Sequence, residues 1–480
     1  MLLQAQRGVD LKRKLVTYIV LIGLALGAIG LGLGSVVATP PANAAEATAA
    51  NTAPSWMKNA VIYQVNVRQF SQKGDFDSVT AAMPRLKALG VDILWLMPIH
   101  PIGEVNRKGS LGSPYSVKDY KGINPDLGTA TDFRELVTAA HNSGMKVILD
   151  WVANHTAWDN PWITQHKDWY TQDSQGNIVP PIPDWSDVAD LNYDKPAMRL
   201  AMIDALKYWV GAFDIDGYRA DVAGSVPTDF WDAATAQLRT IKPVFMLAEA
   251  QGNASLRSKS FVADYGWEFK DLLRDYGSGI AGKGEFIGYV LQQQLNYQAG
   301  TYPMLFVTNH DENSWNGSLS SMYGKGAKTL AVLTFTVPGI PLIYNGQEVD
   351  SNKQLKFFEK DLIDWNFTST RSKTAQAFYT KLIALKTKNS SLWNGTAGGS
   401  YVRIKNDSSI MLTYSRVAKS GNKVIVVLNP SAMPVTSKVE FVKDGKTYFR
   451  YSDGAKVSFT GAKVTSLKAW GFEIYSTVKP

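Results

Sequence analysis

The sequence predicts an α/β protein: a (β/α)8 barrel with a subdomain inserted after its third strand and a C-terminal antiparallel β-sandwich. Three observations carry this. Short apolar runs alternate with helical stretches about eight times between Trp56 and Lys388. The connection from His155 to about Asn192 is long and rich in aromatics, which marks a small folded insertion rather than a turn. From residue 400 onward the chain alternates with a period of two between Gly, Asn, Asp and Ser punctuation.

The elements follow in order. Lys12-Arg13-Lys14 precede an uncharged apolar stretch from Leu15 to about Ala38, and Ala42-Asn43-Ala44 fits a small-x-small cleavage site. Residues 1–44 therefore read as an export signal cut after Ala44. The stretch is also long enough to span a bilayer, so an uncleaved membrane anchor is the alternative. Either way the body is expected outside the cytoplasm, secreted or periplasmic, because the positive residues stay inside. Residues 45–55 read as a flexible tether.

The barrel is expected over 56–388. Its strand runs are Val61–Phe70, Ile93–Ile99, Lys146–Val152, Gly217–Val222, Val244–Ala250, Phe261–Asp264, Leu305–His310 and Pro341–Gly346. Most are short and apolar on both faces, as buried parallel strands are. A helix is predicted over Ala130–Ser143, started by Thr131-Asp132 and stopped by Gly144. Another is predicted over Pro196–Phe213, with Leu200, Ile203, Leu206 and Trp209 on one face. An open doubly wound sheet is disfavoured, because no Gly-rich phosphate loop follows the first strand. The inserted subdomain covers about 155–192 and holds Trp158, Trp162, Trp169 and Trp185. The β-sandwich is expected over 389–480, in about eight short strands.

Composition excludes several functions. The chain has no cysteine, which removes disulfides, thiol nucleophiles and Cys-ligated zinc. The formal charge is +8, of which Arg7, Lys12, Arg13 and Lys14 against Asp10 supply +3 before the body begins. No basic block is interleaved with aromatics, so nucleic acid is not an expected partner.

The chemistry is expected from carboxylates. Asp221 ends IDGYRAD, two residues after Arg219. Glu249 stands in FMLAEA, and Asp311 follows His310 in FVTNHDEN. With Asp150 these acids all stand at the C-terminal ends of predicted strands, where barrels of this kind carry their active sites. Alternating side chains put Arg219 on the same side of its strand as Asp221, so its cation favours the ionised acid. Asp150 is placed to orient either Arg219 or the ring of His155.

These residues resemble the α-amylase family of glycoside hydrolases, and the resemblance covers Trp56 to the C-terminus. It rests on motifs matching in content and order: Asp150-Trp-Val-Ala-Asn154-His155, Asp216-Gly-Tyr-Arg219-Ala-Asp221, Leu247-Ala-Glu249, Val307-Thr-Asn-His310-Asp311, Gly339 to Glu348, and Asp190-Leu-Asn192 in the insertion. The resemblance implies retaining cleavage of α-glucosidic bonds in starch or maltooligosaccharides. Asp221 is then the nucleophile, Glu249 the general acid/base and Asp311 the third carboxylate. It further implies that Tyr115 stacks under the reacting sugar, that His155 and His310 bind its hydroxyls, and that Asn154 and Asp190 are candidate calcium ligands. No organic cofactor is implied.

One departure stands out. Many starch-cleaving members carry Lys and His just after the nucleophile, where this chain has Val222-Ala223-Gly224-Ser225. That weakens the leaving-group side and leaves one calcium-associated position unmatched. A transglycosylase on the same scaffold, and a non-catalytic membrane-tethered glucan-binding relative, are the competing readings. The intact set of Asp221, Glu249, Asp311 and Arg219 disfavours the second.

Overall fold

Eight short parallel strands close on themselves. In the computed structural model, which describes residues 53–297 and 299–479, these are β1 (Ile62–Val65), β2 (Ile93–Leu96), β3 (Lys146–Trp151), β6 (Gly217–Ala220), β7 (Phe245–Ala248), β8 (Ala263–Tyr265), β9 (Tyr302–Leu305) and β10 (Ile340–Tyr344). Pairing runs around the ring, and β1 joins both β2 and β10. The chain is therefore a closed (β/α)8 barrel, not an open sheet. The expected signal or anchor over 1–44, and most of the tether, lie outside the described residues.

Period-two alternation sorts the strand side chains. Ile62, Ile93, Trp95, Ile148, Phe245 and Leu247 belong to the cluster that fills the barrel. Their neighbours Tyr63, Leu94, Val147 and Met246 pack in the larger cluster shared with the helices. Each such side chain, fully buried, contributes about 1.5–3 kcal/mol. Gly217 is required where β6 enters the ring: its φ is +147°, and a Cβ there would lie 1.9 Å from the carbonyl oxygen of Phe245.

In the insertion, β4 (His155–Ala157) and β5 (Val188–Asp190) pair antiparallel, with a short helix, Pro161–Gln165, between them. Trp162 lies 5.2 Å from both Tyr120 and Trp169, and His166 stacks on Trp169 at 3.9 Å. These two tryptophans join the insertion to the main core of the barrel.

The C-terminal region holds eight strands: β11 (Ser400–Arg403), β12 (Leu412–Val417), β13 (Lys423–Leu428), β14 (Val435–Val439), β15 (Tyr448–Arg450), β16 (Lys456–Val457), β17 (Lys463–Leu467) and β18 (Phe472–Ser476). Six form one antiparallel sheet, while β14 and β17 form a second. Arg416 Nη1 donates to the carbonyl oxygen of Thr336 at 3.1 Å, tying this sheet to the barrel.

Four local expectations are corrected. The first strand ends at Val65, and Val67–Phe70 turns into a helix instead of extending it. The seventh barrel strand is Tyr302–Leu305, so His310 and Asp311 lie on the loop beyond it. The helix over Ala130–Asn142 is capped by Thr129 and Asp132 in a reciprocal box, two residues before Thr131. Leu200 is 63 % exposed while Ile203, Leu206 and Trp209 are buried. Steps of three residues fall short of a 3.6-residue turn, so Leu200 and Trp209 end half a turn apart.

Asp216 anchors the N-terminal end of the ring. Its 1 %-exposed carboxylate meets His141 Nε2 at 2.7 Å, Lys146 Nζ at 3.0 Å and Lys242 Nζ at 3.1 Å, and accepts the Val147 N–H at 3.0 Å. Burial alone would raise this acid, but His141, the Val147 N–H and Lys242 outweigh it and hold it at about 2. A depressed acid stabilises the fold above its unfolded pKa, and that contribution is lost as pH falls through the folded value. Asp216→Asn is therefore expected to cost roughly 2 kcal/mol at pH 7. The penalty should shrink between pH 4 and 2, with KM unchanged, in urea melts and kinetics. An equal penalty at both ends of that range would remove the electrostatic account.

Candidate active site

The C-terminal ends of the strands bring the expected acids around one buried cation. Arg219, on β6, has no exposed side-chain surface. Its Nη1 lies 2.6 Å from Asp150 Oδ1 and 2.9 Å from Asp221 Oδ1, and its Nη2 lies 2.9 Å from Glu249 Oε2. The Nη2 contact is an ion pair whose N–H does not point along it. Nε donates to Tyr265 Oη at 2.9 Å. The guanidinium also sits 5.3 Å from the Trp95 ring centre and 5.7 Å from that of Tyr115.

Asp150, fully buried on β3, spends its second oxygen on Trp95 Nε1 at 3.2 Å and Tyr115 Oη at 3.0 Å. Of the two roles expected for it, it takes the orientation of Arg219. His155 instead has Asn154 Nδ2 3.3 Å from its Nδ1 and the Trp185 ring edge-on at 5.6 Å.

A second chain of bonds fixes His310. Gln64 Oε1 accepts the backbone N–H of His310 at 3.2 Å, which turns the Gln64 amide nitrogen toward His310 Nδ1 at 2.7 Å. Nδ1 is then an acceptor and the proton sits on Nε2. That N–H faces Tyr115 Oη at 2.7 Å and Asp311 Oδ2 at 3.2 Å. Burial holds His310 well below the usual imidazole range, helped by Arg219, and holds His155 at about 4. Both rings are neutral at physiological pH.

Four carboxyl groups around one guanidinium cannot all stay ionised without cost. Burial raises Asp150 to about 6, against the pull of Arg219. It raises Asp221 well above the ordinary carboxylate range, again opposed by Arg219. Burial and Glu249 raise Asp311 to about 7. Asp221 and Asp311 thus hold their protons to higher pH than free carboxyls do.

The segment after Asp221 acts through its main chain. Val222 has φ 36° and ψ 45°, in the left-handed region that β-branched residues avoid. This bend aims its N–H at Glu249 Oε2, 2.8 Å away. The Val222 N–H and the Arg219 cation therefore both face Oε2, and among the described residues no donor meets Oε1.

Gln64, Trp95 and Tyr265 went unmarked in the sequence, and Val222 was marked only as a departure from the family pattern, not as an amide donor. Gln64 carried a signal, a polar side chain inside an apolar strand. Trp95 and Tyr265 look like core, and an amide donor leaves no trace in side-chain identity. Asn154 and Asp190 are brought close together, since their neighbours share the β4–β5 ladder, where His155 pairs with Asp190. Both offer the oxygen donors that calcium prefers. Two ligands fall short of its six to eight, and among the described residues no group of three acidic or histidine side chains forms a metal site. The fit to calcium is incomplete.

Asp311 is 30 % exposed on its side chain and has His310 Nε2 as its recorded polar partner. An acid raised in the folded state stabilises below its unfolded pKa, and that contribution is lost as pH rises through the folded value. Asp311→Asn should accordingly melt higher than the parent at pH 8, with the gap closing by pH 4. A variant no more stable at pH 8 would show that the free site carries no such strain.

Comparison with known proteins agrees with this geometry. The family described as alpha amylase, catalytic domain, matches residues 49–186 and 183–394. The alpha-amylase MalA of Haloarcula japonica is 27% identical over 421 residues, 82% of this chain and 58% of that protein. An alpha-1,4-glucan:maltose-1-phosphate maltosyltransferase of Mycobacterium tuberculosis is 34% identical over 236 residues, 43% of this chain and 33% of that one. The chain thus spans less than two thirds of either relative. The crystal structure of an alpha-amylase from Lactobacillus plantarum superposes with a TM-score of 0.77 at 32% identity, covering 88% of this chain and all of that one. Barrel, buried arginine, surrounding acids and these matches agree: the chain belongs to the alpha-amylase family.

Proposed function

We propose that the protein is a retaining glycoside hydrolase acting on α-1,4-glucosidic bonds of starch or maltooligosaccharides, with Asp221 as nucleophile and Glu249 as acid/base. The single observation that carries this is the guanidinium of Arg219 lying 2.9 Å from both carboxyl groups. A retaining mechanism needs two acids at close quarters, one to attack and one to donate a proton.

In the first half-reaction an Asp221 oxygen bonds to the anomeric carbon as the bond to the glycosidic oxygen breaks. Glu249 gives its proton to that departing oxygen. Because Oε2 accepts from Val222 and faces Arg219, Oε1 is the oxygen left to carry the proton. In the second half-reaction Glu249 takes a proton from water, whose oxygen displaces Asp221 from the anomeric carbon. Asp311 accepts sugar hydroxyl protons, and the His310 Nε2–H donates to a hydroxyl oxygen, both tightening as the ring gains positive charge.

The relationship to a maltosyltransferase supports a second reading, in which a sugar hydroxyl replaces water in the second step. Chromatography of products from starch, pullulan and cyclodextrins separates the two, because transfer yields chains longer than the substrate. We also infer export, on the strength of Lys12-Arg13-Lys14 and Ala42-Asn43-Ala44. N-terminal sequencing of the exported protein should begin at Ala45, whereas full-length chain in membranes would favour the anchor.

Two variants test the roles. Asp221→Asn should keep the parent's thermal stability or exceed it, yet retain no more than a few per cent of turnover on maltooligosaccharides, because an amide cannot form the glycosyl-enzyme. Glu249→Gln should lose far more activity on natural glycosides than on activated aryl glycosides, whose leaving groups need no proton. Equal losses on both substrates would make Glu249 structural. The acidic limb of kcat/KM should lie above the ordinary carboxylate range, because the raised Asp221 must lose its proton before attack.

A further inference from the structure

A second aromatic surface leads out of the site on the side of His310. Phe357 lies nearly parallel to Tyr115, at 11° and 6.0 Å. Trp315 lies 5.4 Å beyond Phe357 at 33°, and Phe358 closes against both rings. Trp315 is 58 % exposed. Successive aromatic faces thus step from the buried centre into solvent.

The backbone that displays Trp315 is held firmly. Residues Glu312–Asn316 form a π-helical turn directly after Asp311, a rare geometry that is frequent at functional sites. Buried Glu312 pairs with buried Lys270 at 2.9 Å and accepts from Asn316 Nδ2 at 3.1 Å. Asn313 bonds the strap beyond β10 twice, through the Lys353 carbonyl oxygen at 2.9 Å and the Leu355 N–H at 3.0 Å. Gln354 Nε2 donates to the Ser314 carbonyl oxygen at 2.8 Å. A large ring left open to water on a backbone bonded on both sides of it is preorganised for a ligand with a flat apolar face.

We propose that Trp315, reached from Tyr115 through Phe357, is a stacking platform for a glucose unit beyond the one being cleaved. It sets a preference for longer maltooligosaccharides. The proposal rests on the glucan reading of the site. The occupant is a neutral sugar chain because the surface continues from the reacting centre, and because a pyranose offers the apolar C–H face that an indole stacks on.

The test uses the full purified enzyme with Trp315→Ala and Trp315→Phe. With Ala, kcat/KM for maltoheptaose should fall roughly three- to tenfold, the worth of one aromatic contact. Maltotriose should change much less, and the melting temperature should not move. Phe should recover part of the loss. Titration with maltoheptaose in an Asp221→Asn background, followed by tryptophan fluorescence, reads binding without turnover: Asp221→Asn should show a change that the same variant also carrying Trp315→Ala lacks. Equal losses at every chain length, or none at any, would overturn the platform. An enzyme inactive on all maltooligosaccharides that still shows the Trp315-dependent fluorescence change would sink the hydrolase reading and leave the platform standing.

Discussion

Arg219 is the constraint on which the site is built. A buried cation is tolerated only where anions and hydrogen-bond acceptors surround it. Here Asp150, Asp221, Glu249 and Tyr265 do so, from β3, β6, β7 and β8 or the residues just past them. The guanidinium therefore couples four strands of the ring at their chemical ends. It also explains how acids that repel one another share one cavity. The protein accepts raised carboxyls and in return holds Asp221 and Glu249 against one shared cation.

The IDGYRAD segment shows how one strand serves two ends of a barrel. Asp216 and Gly217 work at the N-terminal face, the first in an ion network and the second where strands crowd. Arg219 and Asp221 work at the opposite face. The alternation of a strand sends Tyr218 and Ala220 outward to the helices. Stability and chemistry are thus separated by only a few residues of chain, yet act on different surfaces.

Much of this was legible in the sequence, for identifiable reasons. Eight apolar runs on a strand–helix rhythm describe a barrel because buried parallel strands need apolar residues on both faces. Asp221, Glu249 and Asp311 stood out because acids seldom follow such runs by chance. Register was less legible. The seventh strand ends at Leu305, five residues before His310, since the apolar Phe306-Val307 continue the hydrophobic pattern after the ladder has stopped. The four tryptophans of the insertion look alike in sequence, yet Trp162 and Trp169 pack inward while Trp185 reaches His155. Composition cannot tell these apart, because a core and a binding surface draw on the same residue type.

The bend at Val222 has a different kind of consequence. The donor it gives Glu249 is an amide of the main chain. Ordinary side-chain replacement leaves that donor present, so alanine scanning passes over it. A left-handed Val stores on the order of 1–3 kcal/mol of strain, and Gly or Asn would hold the same curvature at lower cost. The identity of residue 222 is therefore free to drift over generations while the curvature is retained. Inheritance here is of a shape rather than of a letter.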